Sequence, residues 1–161
     1  MNTREYLVQC FKAEKPKFVR VLKAVPPDKL SYRPHPRSTS AGDLVWLLAS
    51  ELGDACELFD KGQVNYVPKP APAKLDDSIA AYEKNADELE KRLAKADDAA
   101  WEKKAKFLVG GNVAWESPLG DMLWGFLFDA IHHRGQLSAY LRPMGAKVPS
   151  IYGPSADDPG M

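Results

Sequence analysis

The stretch SPLGDMLWGFLFDAIHHRGQLSAYLRPMG, residues 117–145, decides how the chain is read. Ser117 is a capping-type residue and Pro118 suits a first helical position, so a helix is expected to open here and run to about Leu141. Arg142–Pro143–Met144–Gly145 stops it. Met122, Leu123, Trp124, Phe126, Leu127, Phe128, Ala130 and Ile131 make the helix apolar nearly all round. Such a helix belongs at the centre of a bundle or across a subunit interface. It nevertheless carries Asp129, His132, His133 and Arg134. Gly135 costs roughly 1 kcal/mol relative to alanine, and is expected to admit a neighbouring backbone.

Outward from that segment, three more stretches have helical period. In Thr3–Ala24 the apolar residues Tyr6, Leu7, Cys10, Phe11, Phe18, Val19, Val21 and Leu22 recur at steps of three and four. Pro16 predicts a kink, and Pro26–Pro27 ends the segment. Residues 26–38 read as a loop in which Tyr32 covers one end of the bundle. Ser40 and Asp43 open a second helix running to about Asp60, with Gly62 as its stop. Leu44, Leu47, Leu48, Glu51, Leu52, Cys56 and Phe59 are its inward positions. Leu75–Lys95 forms the third, with Ile79, Tyr82, Ala86, Leu89, Leu93 and Ala94 as its stripe. Between these last two, Val64–Ala73 contains Pro68, Pro70 and Pro72 and reads as an extended linker, the longer crossover of the bundle. Phe107–Leu108–Val109, Gly110–Gly111 and Asn112–Trp115 suit a short hairpin. The expectation is an all-α four-helix bundle with a short β-hairpin before the last helix. It forms one domain over residues 1–161, of which 144–161 is an irregular tail packed as a strap.

Acidic and basic residues balance at 22 each, which removes the electrostatic case for a nucleic-acid partner and eases self-association. No apolar run approaches the roughly 20 residues needed to cross a bilayer, and the N-terminal residues lack a signal-peptide pattern. The expected compartment is the cytoplasm. Cys10 and Cys56 match no zinc or redox spacing and read as reduced thiols. There is no phosphate-binding glycine loop and no serine-nucleophile motif.

Asp129 and His133 are four residues apart and stack on one helix face. A carboxylate and an imidazole so placed can share a divalent ion. They can also form a charge-assisted hydrogen bond, or Asp129 can pair with Arg134; Asp-x-x-x-His is a short and common pattern, and on spacing alone these structural roles are favoured over a metal. Gln136 and Tyr140 follow along the same side and suit either a site wall or plain packing.

Ile131–His132–His133–Arg134–Gly135–Gln136–Leu137 resembles the His-Arg-Gly-Gln segment of the DinB/YfiT-like family. Leu44 to Glu51 resembles the family's second-helix segment, and Tyr140–Gly145 with Val148–Gly153 is similar to one large branch of it. The resemblance implies a four-helix bundle, often dimeric, in which three histidines hold a divalent metal. It also implies metal-assisted thiol transfer to a small electrophile or hydrolysis of an amide-like bond. By this resemblance His133 is a ligand, Asp129 stands where a second histidine is expected, and Leu47 stands where the third is. Leu47 cannot bind metal. Glu51, one turn later, can complete a Glu51–Asp129–His133 set; alternatively it pairs with Arg134 or solvent. Manganese, iron, nickel or zinc would suit, with manganese and iron favoured by the oxygen-rich set. The other expectation, motivated by Leu47, is a metal-free homodimeric bundle that binds a small molecule or stabilises a partner.

Overall fold

The computed structural model describes residues 1–160. Its four long helices are α1 (Thr3–Lys23), α2 (Ala41–Lys61), α3 (Leu75–Lys95) and α5 (Leu119–Leu141), with a short α4 (Asp98–Glu102). Three strands complete it: β1 (Gln63–Tyr66), β2 (Lys104–Val109) and β3 (Asn112–Pro118). Met161, the last residue of the expected tail, lies outside the described residues.

Local chemistry explains the helix ends. The Asn2 side chain accepts from the Glu5 amide at 2.8 Å while the Glu5 carboxylate accepts from the Asn2 amide at 3.0 Å. This reciprocal pair satisfies two free donors at the start of α1. Ser40 caps α2 by accepting from the Asp43 amide, and Gly62 closes it. α1 continues through Pro16. Phe11 before the proline and Phe18, Val21 and Leu22 after it are all buried, so packing on both sides outweighs one lost backbone bond.

The start of α5 departs from the expectation. Ser117 does not cap it: its hydroxyl donates to the Pro118 carbonyl, and β3 runs on through Pro118. The Leu119 amide instead donates to the Lys103 carbonyl at 2.8 Å, so the residue that joins α4 to β2 supplies the partner a cap would have given.

α1 and α2 each pack against both α3 and α5, which puts α1 diagonal to α2 and α3 diagonal to α5. The crossovers are therefore residues 24–40 and 96–118. The proline-rich segment after α2 joins neighbours and is not the crossover. Its first residues are also not linker: β1 pairs in parallel with β2, with Val64 opposite Phe107 and Tyr66 opposite Val109. β2 and β3 form the expected hairpin, longer than its glycine turn suggested. Gly110 and Gly111 have φ of 57° and 81°, the conformation a two-residue hairpin loop requires.

Leu22, Leu44, Leu48, Leu58, Leu93, Met122, Leu137 and Leu141 form the centre of the core. Phe59 and Leu47 on α2 are only partly buried, and Ala94 on α3 faces solvent. α5 is not enclosed all round either: Phe128 is 62% exposed. A Cβ at Gly135 would meet open space, so the expected close backbone approach does not occur there. It occurs at Gly125, where a Cβ would lie 2.5 Å from the Trp115 ring. Among the described residues no helix is long and apolar enough to cross a membrane.

The tail after α5 is irregular but tied down. Asp157 accepts from Arg142 at 2.7 Å and from the Val148 amide at 3.1 Å, and Asp158 accepts from the Ser150 amide. Tyr152 reaches across to α1.

Candidate metal centre

α2 and α5 are neighbours, and that packing sets Glu51 against Asp129 and His133. One ligand-type atom from each of the three lies within 4.8 Å of the others. The 3.6-residue period does the local work: Asp129 and His133 share a face of α5, with His133 Nε2 3.3 Å from Asp129 Oδ2. Leu47 lines the same cavity one turn before Glu51, without a ligand atom.

The neighbours of His133 fix its chemistry. Its Nδ1 lies 2.8 Å from Gln136 Oε1, three residues on. The amide oxygen facing the ring is an acceptor for an Nδ1 proton, which leaves Nε2, the nitrogen toward the two carboxylates, as the atom that would bind an ion. That is the orientation outer-shell partners impose on ligating imidazoles.

Glu51 is the least satisfied group in the cluster. One of its carboxylate oxygens is buried with no hydrogen-bond partner. Burial, and next the facing charge of Asp129, push its carboxyl up to about 9. A buried acid without a partner is costly to the fold. Oxygen, oxygen and imidazole nitrogen converging at this spacing suit a divalent cation, which would supply the missing positive charge. By residue chemistry and by the orphaned oxygen, the site fits the ion.

The cluster opens on a cavity of about 630 Å³, within the range typical of small-molecule sites. Asp54 lies one turn beyond Glu51 on the same wall, its carboxyl raised to about 6 by burial, against the pull of Lys69. The opposite wall is Tyr66, Phe107, Val109 and Trp115, all from the sheet.

The remaining expectations divide. Arg134 pairs with neither Asp129 nor Glu51. It is fully buried on another side of α5 and donates to Glu14 of α1 at 2.5 Å and to the Tyr152 hydroxyl at 2.5 Å. His132 and His35 are exposed. Tyr140 is not in the cavity wall: it donates to the Thr39 carbonyl at 3.3 Å and packs edge-on against Tyr32. Cys10 and Cys56 are free thiols. Sequence reasoning missed Asp54 and the aromatic wall; the alternation Phe107-x-Val109 and Val113-x-Trp115 was the available signal.

A helical bundle with a carboxylate–histidine cluster between two neighbouring helices, at the side of an open cavity with an apolar wall, defines the class of this protein. Within that class the chain belongs to the DinB family, whose model matches residues 1–160. Solved structures share the fold at low identity. A DinB-like protein from Bacillus cereus superposes with a TM-score of 0.77 at 19% identity, covering 92% of this chain and 97% of that one. YfiT from Bacillus subtilis, described as "a probable metal-dependent hydrolase with an unusual four-helix bundle topology", gives 0.69 at 13% identity over 88% and 87%. A mycothiol-dependent maleylpyruvate isomerase gives 0.56 at 13% identity, covering 91% of this chain and 62% of that one. No curated protein matches the sequence.

Proposed function

We propose that this chain is a metal-dependent hydrolase of a small molecule, with Glu51, Asp129 and His133 as ligands of manganese or iron, and zinc or nickel as weaker fits. The observation that carries the reading is the buried, unpartnered Glu51 oxygen facing Asp129 and His133. A divalent ion there would polarise a substrate carbonyl and lower the pKa of bound water. The protein's own residues do the rest. Gln136 holds the His133 ring in the tautomer that presents Nε2. Asp54, one turn from Glu51 in the same cavity wall and raised to about 6 by burial, is the group placed to take and return a proton. The sheet supplies the apolar wall opposite the ligands. YfiT supports hydrolysis, and the isomerase makes thiol-dependent chemistry on the same scaffold the competing reaction.

The test is metal analysis of protein purified without an affinity tag, paired with thermal unfolding before and after Mn²⁺ addition. A rise in Tm that His133→Ala abolishes is expected. Substoichiometric metal and a Tm indifferent to manganese, iron, nickel and zinc would remove the proposal. Hydrolysis or thiol addition on an amide panel, with and without a low-molecular-weight thiol, separates the two reactions.

A second reading concerns assembly. Tyr6 on α1 and Phe128 on α5 are both exposed and border one apolar groove. That strip supports a homodimer through α1 and α5. Sedimentation showing a monomer at micromolar concentration would exclude it.

A further inference from the structure

The sheet has two unlike faces. Successive side chains of a strand alternate between faces. On one face Lys104 and Lys106 pair with Glu116 at 3.5 and 3.6 Å, facing solvent. On the other, Val64, Phe107 and Trp115 form one cross-strand row, and Tyr66 and Val109 another. Phe107 is the hub. Its ring stacks on Tyr66 at 6.1 Å and meets Phe126 of α5 edge-on at 5.9 Å. Trp115 closes the row only because position 125 on α5 has no side chain beneath it.

The cavity is therefore two-sided in chemistry. Its acids and imidazole (Glu51, Asp54, Asp129, His133) come from α2 and α5; the sheet contributes no charged group. Among the described residues no lysine or arginine lines it. With no cationic side chain in the lining, only the ion could attract an anion, and Glu51 and Asp129 as its ligands offset its two positive charges, so the loaded site has little net charge to hold a free phosphate or several carboxylates. Planar aromatic surfaces prefer planar partners in offset or edge-on contact.

We infer that the natural ligand is a small, weakly charged molecule with a flat aromatic or conjugated ring joined to an oxygen-donor head. Phe107, Trp115 and Tyr66 receive the ring, and Glu51, Asp129 and His133 receive the head. The head-group half rests on the metal-dependent reading; the ring half does not, since the wall is built without metal.

Two hydroxamates separate these halves. Benzohydroxamate and acetohydroxamate share the oxygen-donor head and differ by the ring. On the Mn²⁺-loaded full chain, calorimetry should show benzohydroxamate binding at least about tenfold tighter, a modest return for burying a phenyl ring once ordering costs are counted. Trp115→Ala should erase most of that ratio without changing affinity for acetohydroxamate or Mn²⁺. Gly125→Ala, which displaces the Trp115 ring, should do the same. Benzyl alcohol titrated into metal-free protein should shift the Trp115 indole resonance in a ¹H–¹⁵N spectrum, assigned by Trp115→Phe. Equal affinity for the two hydroxamates, or a ratio untouched by Trp115→Ala, overturns the inference while leaving the metal reading intact. Failure to bind Mn²⁺ removes the metal reading; the benzyl alcohol shift then decides the ring site alone, and its absence overturns it.

Discussion

His133 and Arg134 are adjacent in sequence and lie in opposite kinds of polar cluster. Arg134 donates to Glu14 and Tyr152, Tyr152 donates to Glu14 at 2.8 Å, and Lys17 holds the other Glu14 oxygen at 2.6 Å. Phe18 lies against the guanidinium at 4.5 Å. Every charge there has a partner, and the cluster ties α1, α5 and the tail together. His133 looks instead toward two carboxylates, one of which keeps an orphaned oxygen above an open chamber. A satisfied buried network holds a structure; an unsatisfied one beside a cavity invites a ligand. The pKa directions express the same contrast. Burial pushes the Glu14 carboxyl up, but bonds from Lys17, Arg134 and Tyr152 outweigh it and hold it below its usual range. Glu51 has no such donors and is pushed up.

The sharpest break of this contrast is Arg134→Met. Removing one partner of a buried pair leaves Glu14 without its main counter-charge, and a loss of about 3–5 kcal/mol is expected in urea unfolding. The Mn²⁺-dependent rise in Tm should survive in the variant, in a melt started from a temperature where it is folded. Loss of metal response with native stability would mean that the two clusters are not separate.

Glu51→Gln probes the other side and should have the opposite sign. Without metal, the variant should be more stable than the parent at pH 7 by about 1–3 kcal/mol, because a buried acid that ionises readily in the unfolded chain is replaced by a neutral amide. The pH dependence follows from linkage. The folded carboxyl titrates at about 9 against an ordinary value of 4.5, so the folded state holds the extra proton between them. Stability of the metal-free parent therefore falls as pH rises from about 4.5 toward 9, and Glu51→Gln should flatten that limb. Glu14, held low, does the reverse: its contribution is present above pH 4.5 and is lost as pH falls through its folded pKa. Glu14→Gln should flatten the acid limb only. A single profile shared by both variants would contradict the assignment.

Gln136→Leu tests whether the cluster is oriented for a ligand rather than merely crowded. Without the acceptor at Nδ1 the imidazole is free to change tautomer, and Mn²⁺ affinity should weaken by about 10- to 100-fold with little change in metal-free stability. An unchanged affinity would reduce the Gln136 contact to packing.

Much of this contrast could be read before the coordinates, and the missing part has a physical reason. The long helices were legible because Leu44, Leu48 and Leu52, or Ile79, Tyr82 and Ala86, repeat at the helical period. Asp129 was legible as a candidate because it stands where the family resemblance expects a histidine, and Glu51 because it lies one turn after Leu47, the other marked position. β1 was not: in four residues only Val64 and Tyr66 face inward, too short a run to show a period, and the prolines after them read as linker. The partner of Arg134 was not legible either. Glu14 is 120 residues away, on a helix whose stripe gives no hint that an acid belongs in it. The sheet's role was hidden for the same reason: alternation shows that Phe107 and Trp115 can share a face, but only the diagonal packing of α3 and α5 aims that face at Glu51.

The smallest effect expected is Tyr152→Phe, and it asks how far the closed cluster depends on the tail. The hydroxyl accepts from Arg134 and donates to Glu14, while the ring packs on the guanidinium at 5.0 Å. The variant keeps the ring and removes only the hydroxyl. Because Arg134 and Glu14 still hold each other directly, the expected loss is about 1 kcal/mol, the worth of an ordinary hydrogen bond. Hydrogen exchange should quicken at the Val148 and Ser150 amides, which hold the tail through Asp157 and Asp158, while amides of α2 stay protected. A loss as large as that of Arg134→Met would show that the tail is part of the buried network. An unchanged exchange rate would show that the carboxylates of Asp157 and Asp158 fasten the tail without Tyr152.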